Sequence, residues 1–274
     1  MKKHSNKQLG MTLIELLIAL GLGLFMLAGI LQVFVGSRQS FEIIQGHNST
    51  QEAGRFGLYF IEQTGLHAGY VNTGVYLNGF ADSILNSLSQ DAYEAQWPAA
   101  NEFTAGSVVG SPTIIAAAAG SDTLSFRLQS NIDGTMLDCE GRALVSTAGG
   151  INTIRFYVDG SDNQLYCEVV GSGRGAVALV SGVENMQVLY GISGAIESRD
   201  VVDYVPAGTL GTSVDLWKRV VSVRVGLMTI SDSTALDRTS KAYALLDKNI
   251  TGPADGRVRQ VYTKTIAIRS KMNG

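Results

Sequence analysis

The chain has 274 residues, which suits one large globular domain or two small ones once an N-terminal apolar segment is set aside. The first ten residues hold three lysines and no acid, so the remainder carries 18 basic against 24 acidic residues. An acidic body without a basic stripe is not suited to phosphate-backbone binding, and nucleic acid is therefore not expected as a partner.

The first segment joins a short cationic region to a long apolar run. Residues 1–10 (MKKHSNKQLG) are basic, and residues 11–35 are apolar apart from Thr12, Glu15, Gln32 and several glycines. As a helix rising about 1.5 Å per residue, this run reaches roughly 35 Å, enough to cross a bilayer. The lysines are expected to stay cytoplasmic, which places the rest of the chain outside.

Two features distinguish this run from an ordinary signal. A carboxylate such as that of Glu15 costs about 2.5–3.5 kcal/mol at the bilayer centre, so it implies a partner. The residues after the run contain no convincing small-residue cleavage site, whereas Gly10 lies at the cytoplasmic edge. The alternative is a plain signal anchor with Glu15 near the headgroups, but such an anchor has no need for Gly10 and Glu15 at this spacing.

The stretch from Gly10 to Leu16 (GMTLIEL) resembles the class III signal of type IV pilins and of type II secretion pseudopilins. The resemblance implies that a prepilin peptidase cuts between Gly10 and Met11, that the new Met11 amine is N-methylated, and that Glu15 is required for filament assembly. Unpaired charges are costly in a low-dielectric setting, whereas a paired couple is tolerated. We therefore expect the Met11 amine of one subunit to meet Glu15 of its neighbour and to fix the register of the stacked helices.

The helical pattern continues beyond the apolar run. Aromatic and aliphatic residues recur at three- and four-residue spacing, which predicts a second half of the helix over residues 36–69. Gly21, Gly23 and Gly29 each weaken a helix by up to about 1 kcal/mol, so they indicate either close helix–helix packing or simple tolerance within a well-packed helix.

From Gly120 onwards the apolar pattern has period two, which predicts half-buried antiparallel strands. The predicted strands cover residues 124–128, 154–158, 165–169, 221–227 and 261–270. Residues 74–120 are predicted to be irregular, with weak helix signals at 84–88 and 91–95. The predicted fold class is thus α+β: a leader (1–10), a transmembrane or filament-core half-helix (11–35), its second half (36–69), and a β-rich head (70–274) on which the helix packs.

The head resembles PilW-type minor pilins. The segments that carry the resemblance are Arg55-Phe56, Ala68-Gly69-Tyr70, Leu165–Cys167, Ala178–Gly191, Val220–Val225 and Lys264–Arg269. It implies a role in priming type IV pilus assembly, in a tip complex with other minor pilins and the major pilin. It also implies residence in the inner membrane with a periplasmic head, and later in the pilus at the cell surface.

The cysteines depart from the family pattern. Many members have a cysteine shortly after the Ala-Gly-Tyr turn, but Val-Asn-Thr follows here, so the family's disulfide pairing cannot be copied. Only Cys139 and Cys167 can pair within the chain, and in an exported protein a bridge is expected. It would contribute about 3–4 kcal/mol for a loop of this length.

Motifs for catalysis or cofactor binding are weak. The three histidines and two cysteines do not form a zinc-type pattern, residues 171–176 match G-x-G-x-x-A without a βαβ context, and residues 159–163 fail the spacing of a calcium loop. We therefore expect no enzyme activity, metal, cofactor or small-molecule substrate. The alternatives are a J-type pseudopilin of type II secretion, a tip-exposed module for adhesion or DNA uptake, and an anchored periplasmic enzyme.

Overall fold

The computed structural model describes residues 12–69, 120–129, 135–144, 151–170, 172–195, 198–210, 213, 216–217, 219–234 and 239–269. One 54-residue helix, α1 (Leu13–Leu66), leads into a β-rich head. The further elements are β1 (Leu124–Gln129), β2 (Ile151–Asp159), β3 (Gln164–Val170), β4 (Val177–Ser181), β5 (Val183–Ser193), β6 (Val201–Val205), α2 (Ala207–Leu210), β7 (Val220–Thr234), β8 (Lys241–Leu245), β9 (Lys248–Gly252) and β10 (Arg257–Ala267). Gly10, Met11 and the weak helix signals at 84–88 and 91–95 lie outside the described residues.

The strands form two four-stranded sheets and a hairpin, all antiparallel. The first sheet has the order β1-β2-β3-β4, the second has the order β10-β7-β5-β6, and β8 pairs with β9. This architecture confirms the predicted α+β class and each predicted strand. One expectation differs: β7 is buried at almost every position rather than at alternate ones. Its second face is covered because Leu245 and Leu246 of the β8–β9 hairpin pack over Gly226.

The C-terminal half of α1 packs against both sheets around one apolar core. Three glycines bring the helix close to the strands: a Cβ added at Gly54 would overlap the ring of Tyr262, one at Gly57 would lie 2.7 Å from Leu227 Cδ1, and one at Gly65 would lie 3.0 Å from Phe126 Cζ. The helical cost of these glycines is thus offset by apolar burial that larger residues would prevent. Ile61 and Phe126 are fully buried in this core.

Polar contacts fix the angle of α1 on the head. Thr50 Oγ1 donates to Gln260 Oε1 at 3.0 Å, and Tyr262 Oη donates to the same oxygen. About three helical turns further along α1, Lys264 Nζ forms an ion pair with Glu62 at 2.6 Å. These contacts lie along the middle of β10, from Gln260 to Lys264, so the helix cannot rotate on the sheet without breaking several of them.

An ion cluster around the buried Arg259 side chain links β10 to β5 across β7 in the second sheet. The Arg259 side chain is 2% exposed and lies 2.6 Å from Glu184 and 2.7 Å from Asp255. Both carboxylates are bidentate partners of the guanidinium, which holds the pKa of Asp255 well below its usual range. Sequence periodicity gives no signal for this cluster, because its members come together only when β5 and β10 flank β7.

The predicted disulfide is formed between Cys139 and Cys167, whose Cα atoms are 6.3 Å apart. It fastens the loop at residues 135–144 to β3, in the middle of the first sheet. Arg174 reaches over the same loop and lies 3.3 Å from Asp138 Oδ2. The loop is therefore held by a covalent bond to β3 and by a charge contact with Arg174.

The segment before β1 completes the hydrogen bonding of β5. The Asp122 amide donates to the Met186 carbonyl at 2.8 Å, and the Asp122 carboxylate accepts the Val188 amide at 2.9 Å. Ser121 Oγ accepts the Met186 amide at 3.0 Å. Two side chains thus satisfy strand amides beyond the reach of β6, which pairs only with the other end of β5.

This role of Asp122 predicts a pH dependence of stability. Its pKa is raised from 3.8 to about 6, first because burial penalises the charged form and then because Asp247 is nearby; the Val188 amide and Lys248 act in the opposite direction. A group with a raised folded-state pKa binds its proton more tightly in the folded state, so its contribution declines as the pH rises from 3.8 to about 6. Relative to Asp122→Asn, the wild-type free energy of unfolding should therefore fall over this interval and then level off.

Urea unfolding of the full chain in detergent, followed by circular dichroism at a series of pH values, measures this difference. Asp200→Asn is the control, because Asp200 is exposed and its side chain forms no hydrogen bond or ion pair within the described chain. If Asp122→Asn and the wild type keep the same separation at all pH values, the titration of Asp122 is not coupled to folding.

Candidate assembly interface

The N-terminal half of α1 is an isolated apolar surface. An 18-residue window within the helix has a mean hydropathy of 2.4, and none of that window is buried. Leu13 is 77% exposed and Phe25 is 80% exposed, values far above those of core residues. A continuous apolar helix that is not buried by any other described part of the chain is suited to lipid or to other helices.

Glu15 occupies the first turn of this helix. Thr12 is the N-cap, and the Glu15 and Leu16 amides both donate to the Thr12 carbonyl, at 3.1 and 3.2 Å. Thr12 and Glu15 have the spacing of a capping box, but the Thr12 side chain forms no capping hydrogen bond. Within the residues that the structure describes, the Glu15 carboxylate has no hydrogen bond or ion pair.

The surroundings of Glu15 offer no cation. Residues 12–37 contain no lysine, arginine or histidine, and the first basic side chain of α1, Arg38, pairs with Glu42 at 3.8 Å. The helix N-terminus is itself favourable for an anion, because its free amides carry partial positive charge. A cationic group that pairs with the Glu15 carboxylate must therefore come from the residues before Thr12 or from another molecule.

The glycines in this half of the helix leave its surface open. A Cβ added at Gly21, Gly23, Gly29 or Gly36 would meet nothing within 4 Å. A shallow apolar hollow of about 560 Å³ lies around Gly29, bordered by Met26, Ile30, Val33 and Phe34. These open positions would let a neighbouring helix approach closely, as in the first of the two interpretations of the glycines. That packing stays a prediction, because the structure contains a single chain.

The other sequence motifs lie in ordinary turns. Residues 172–176 connect the antiparallel strands β3 and β4, so they are not the strand-to-helix turn of a dinucleotide site. Residues 159–163 form a hairpin turn in which Asp159 Oδ1 accepts the Ser161 amide at 2.8 Å. Among the described residues, no group of His, Cys, Asp or Glu is arranged to hold a metal ion.

Comparisons with known proteins give two matches to family models and a likeness to a solved structure. Residues 155–270 match the family model described as Type IV Pilus-assembly protein W, and residues 5–31 match the one described as Prokaryotic N-terminal methylation motif. Among solved structures, the chain is similar to a type IV-like pilin from Thermus thermophilus, with 15% identity, a TM-score of 0.34, and coverage of 71% of this chain and 97% of that chain. A comparison with curated proteins gives no match.

Proposed function

We propose that this chain, which matches the PilW family model over residues 155–270 and the N-terminal methylation motif over residues 5–31, is a minor pilin that takes part in priming the assembly of a type IV pilus, within a tip complex of minor pilins. The observation that carries this proposal is the exposed apolar half of α1, which has Glu15 in its first turn and a folded head at its other end. Such a molecule is built to insert its helix among others while presenting its head outside.

The proposed maturation starts at the cytoplasmic face of the inner membrane. A prepilin peptidase removes residues 1–10, and the new N-terminal amine of Met11 is methylated. The apolar half of α1 then holds the chain in the membrane, with the head in the periplasm. At this stage Glu15 and the Met11 amine lie at the start of the same apolar segment.

The proposed assembly step transfers α1 from lipid to a bundle of helices. Lipid tails and apolar side chains solvate this helix about equally well, so apolar burial by itself gives little preference for one register of packing. Charge pairing does discriminate, because an ammonium and a carboxylate are tolerated in an apolar layer only when they meet. Pairing of Met11 in one subunit with Glu15 of its neighbour would therefore set the axial offset.

The proposed partners are other minor pilins and the major pilin, which supply the neighbouring helices. The role is associative and needs no catalysis, metal or cofactor. The rigid attachment of the head to α1 through Thr50, Glu62 and their β10 partners supports it, since a head fixed to its helix presents the same surface at a defined position in the filament.

Mass spectrometry of sheared surface filaments tests the proposal. We expect peptides of this chain, a mature N-terminus at methylated Met11, and a Cys139–Cys167 bridge. Deletion should remove surface pili and twitching rather than protein secretion, which distinguishes a minor pilin from a J-type pseudopilin. Absence of the chain from filaments, or a mature protein that begins at Met1, would contradict the assignment.

A further inference from the structure

A groove of about 420 Å³ lies between the C-terminal half of α1 and the outer edge of β4. Its helix wall includes Glu52, Phe56 and Phe60, and its sheet wall includes Leu179 and Ile230. We call this feature the edge groove. It belongs to the head side of α1 and is separate from the apolar half-helix that carries Glu15.

The β4 strand borders the groove as an open strand edge. One side of β4 pairs with β3, with a bulge at Leu179 between the pairs Leu165–Val180 and Tyr166–Ala178. The other side forms no backbone hydrogen bond with any part of the described chain. Proteins usually protect such edges with charged residues or proline, but β4 (VALVS) has neither. Within the described part of the chain, the outward amides and carbonyls of β4 are therefore available to an added strand.

The groove walls beside this edge are apolar. Phe56 is 40% exposed, with the Arg55 guanidinium 5.5 Å from the centre of its ring, and Phe60 is half-buried. Leu179 and Ile230 continue the apolar surface on the sheet side. Because side chains alternate along a strand, every second residue of an added strand would point into this surface.

The charges of the groove select the partner's chemistry. Glu52 and Asp232 line it and are exposed, and neither has an ion pair or side-chain hydrogen bond within the described residues. Among the described residues, no lysine, arginine or histidine lines the groove itself, and the nearby Arg55 guanidinium lies against the Phe56 ring. The exposed edge strand of the second sheet, β6, carries Asp203, so the β6 of a second copy would add a third carboxylate. The groove favours a cationic strand from a different chain.

We propose that the edge groove binds an extended segment of another pilin subunit, which adds to β4 as a strand. Alternate apolar side chains of the segment pack on Phe56 and Leu179, and a lysine or arginine faces Glu52 and Asp232. The identification of the partner as a pilin rests on the proposed function, whereas the strand-binding property rests on the groove alone.

A designed peptide tests the strand-binding property without filaments. The probe is a nine-residue peptide of alternating valine and lysine, blocked at both ends and fluorescently labelled. Fluorescence anisotropy with the full chain in zwitterionic detergent should show saturable binding. The double variant Glu52→Lys/Asp232→Lys should bind at least about tenfold more weakly, since two attractions become repulsions. Replacing the central valine of the peptide with proline should also weaken binding, because proline disrupts strand pairing.

The controls separate groove binding from general charge effects. Asp200→Lys reverses one charge, as each of the two groove substitutions does, on an exposed residue of the β5–β6 connection, and should bind the peptide like the wild type. Near-ultraviolet circular dichroism verifies that each variant is folded. The proposal is overturned if the peptide does not bind, if charge reversal or proline leaves binding unchanged, or if the groove is filled by self-association that Glu52→Lys abolishes. None of these outcomes bears on processing at Gly10 or on Glu15, so the proposed function would stand.

Discussion

Replacement of Gly10 by phenylalanine is expected to leave the leader on the protein. The proposed peptidase site needs the smallest residue at the position before the cut, and a benzyl side chain there would prevent close approach of the enzyme to the backbone. The membrane-extracted variant should then be heavier than the mature wild-type protein, because it keeps residues 1–10. It should also lack the methyl group on Met11. The fraction of cleaved protein should fall below the detection limit of the mass measurement.

The matched control is Gln8→Phe, which places the same side chain two residues upstream and keeps Gly10. We expect this variant to be cut and methylated like the wild type. Gly10→Phe should also be absent from filaments, because an uncut chain has an amide at Met11 instead of a cationic amine. Normal maturation of Gly10→Phe would remove the basis for assigning the N-terminal signal.

Much of the fold could be predicted because its strongest signals are local. The long apolar run and the spacing of residues such as Phe56 and Phe60 predicted α1, which ends at Leu66, close to the expected end of the pattern. Period-two alternation around Phe126 and Cys167 predicted β1 and β3. These patterns follow from burial of one face of a regular element, and they need no knowledge of its neighbours.

The unpredicted features depend on contacts between distant parts of the chain. The β8–β9 hairpin lacks the usual glycine or asparagine turn, and Leu246 adopts a φ of 55°. Leu246 packs over Gly226, a tertiary contact that accompanies this left-handed conformation. The buried Arg259 cluster and the Asp122 bridge to β5 likewise involve residues far apart in sequence. Local propensity carries no information about such pairings.

The candidate assembly site was predictable for a different reason. Glu15 is conspicuous because a carboxylate is costly in an apolar helix, and the fold leaves it exposed and without a partner among the described residues. The proposed partner, the Met11 amine, would be created by cleavage and would lie in a neighbouring subunit. The sequence can therefore indicate which residue needs a partner, but the pairing itself is a property of the filament.

Glu15→Ala is expected to give a mature, membrane-held protein that does not enter filaments. The substitution leaves an uncompensated ammonium in an apolar bundle, and breaking one side of a buried ion pair costs about 3–5 kcal/mol. Incorporation should therefore fall by roughly two to four powers of ten. Immunoblots of sheared filaments and of membranes from the same cells measure the ratio, and intact mass confirms processing.

Glu42→Ala is the matched control, because it removes a carboxylate from the same helix whose partner, Arg38, is exposed and remains solvated. Its incorporation should stay close to that of the wild type. A normal level of Glu15→Ala in filaments would contradict the register mechanism, since a neutral methyl group cannot pair with an amine.

Two further substitutions at position 15 separate charge from shape. Glu15→Gln keeps the size and the hydrogen-bonding oxygen but loses the charge, whereas Glu15→Asp keeps the charge on a side chain shorter by one methylene. If the ion pair sets the register, Asp should retain more incorporation than Gln, and Gln should approach Ala, because only a carboxylate neutralises the amine in a low-dielectric layer. The reverse order, with Gln above Asp, would mean that reach and hydrogen bonding rather than charge determine how neighbouring helices align.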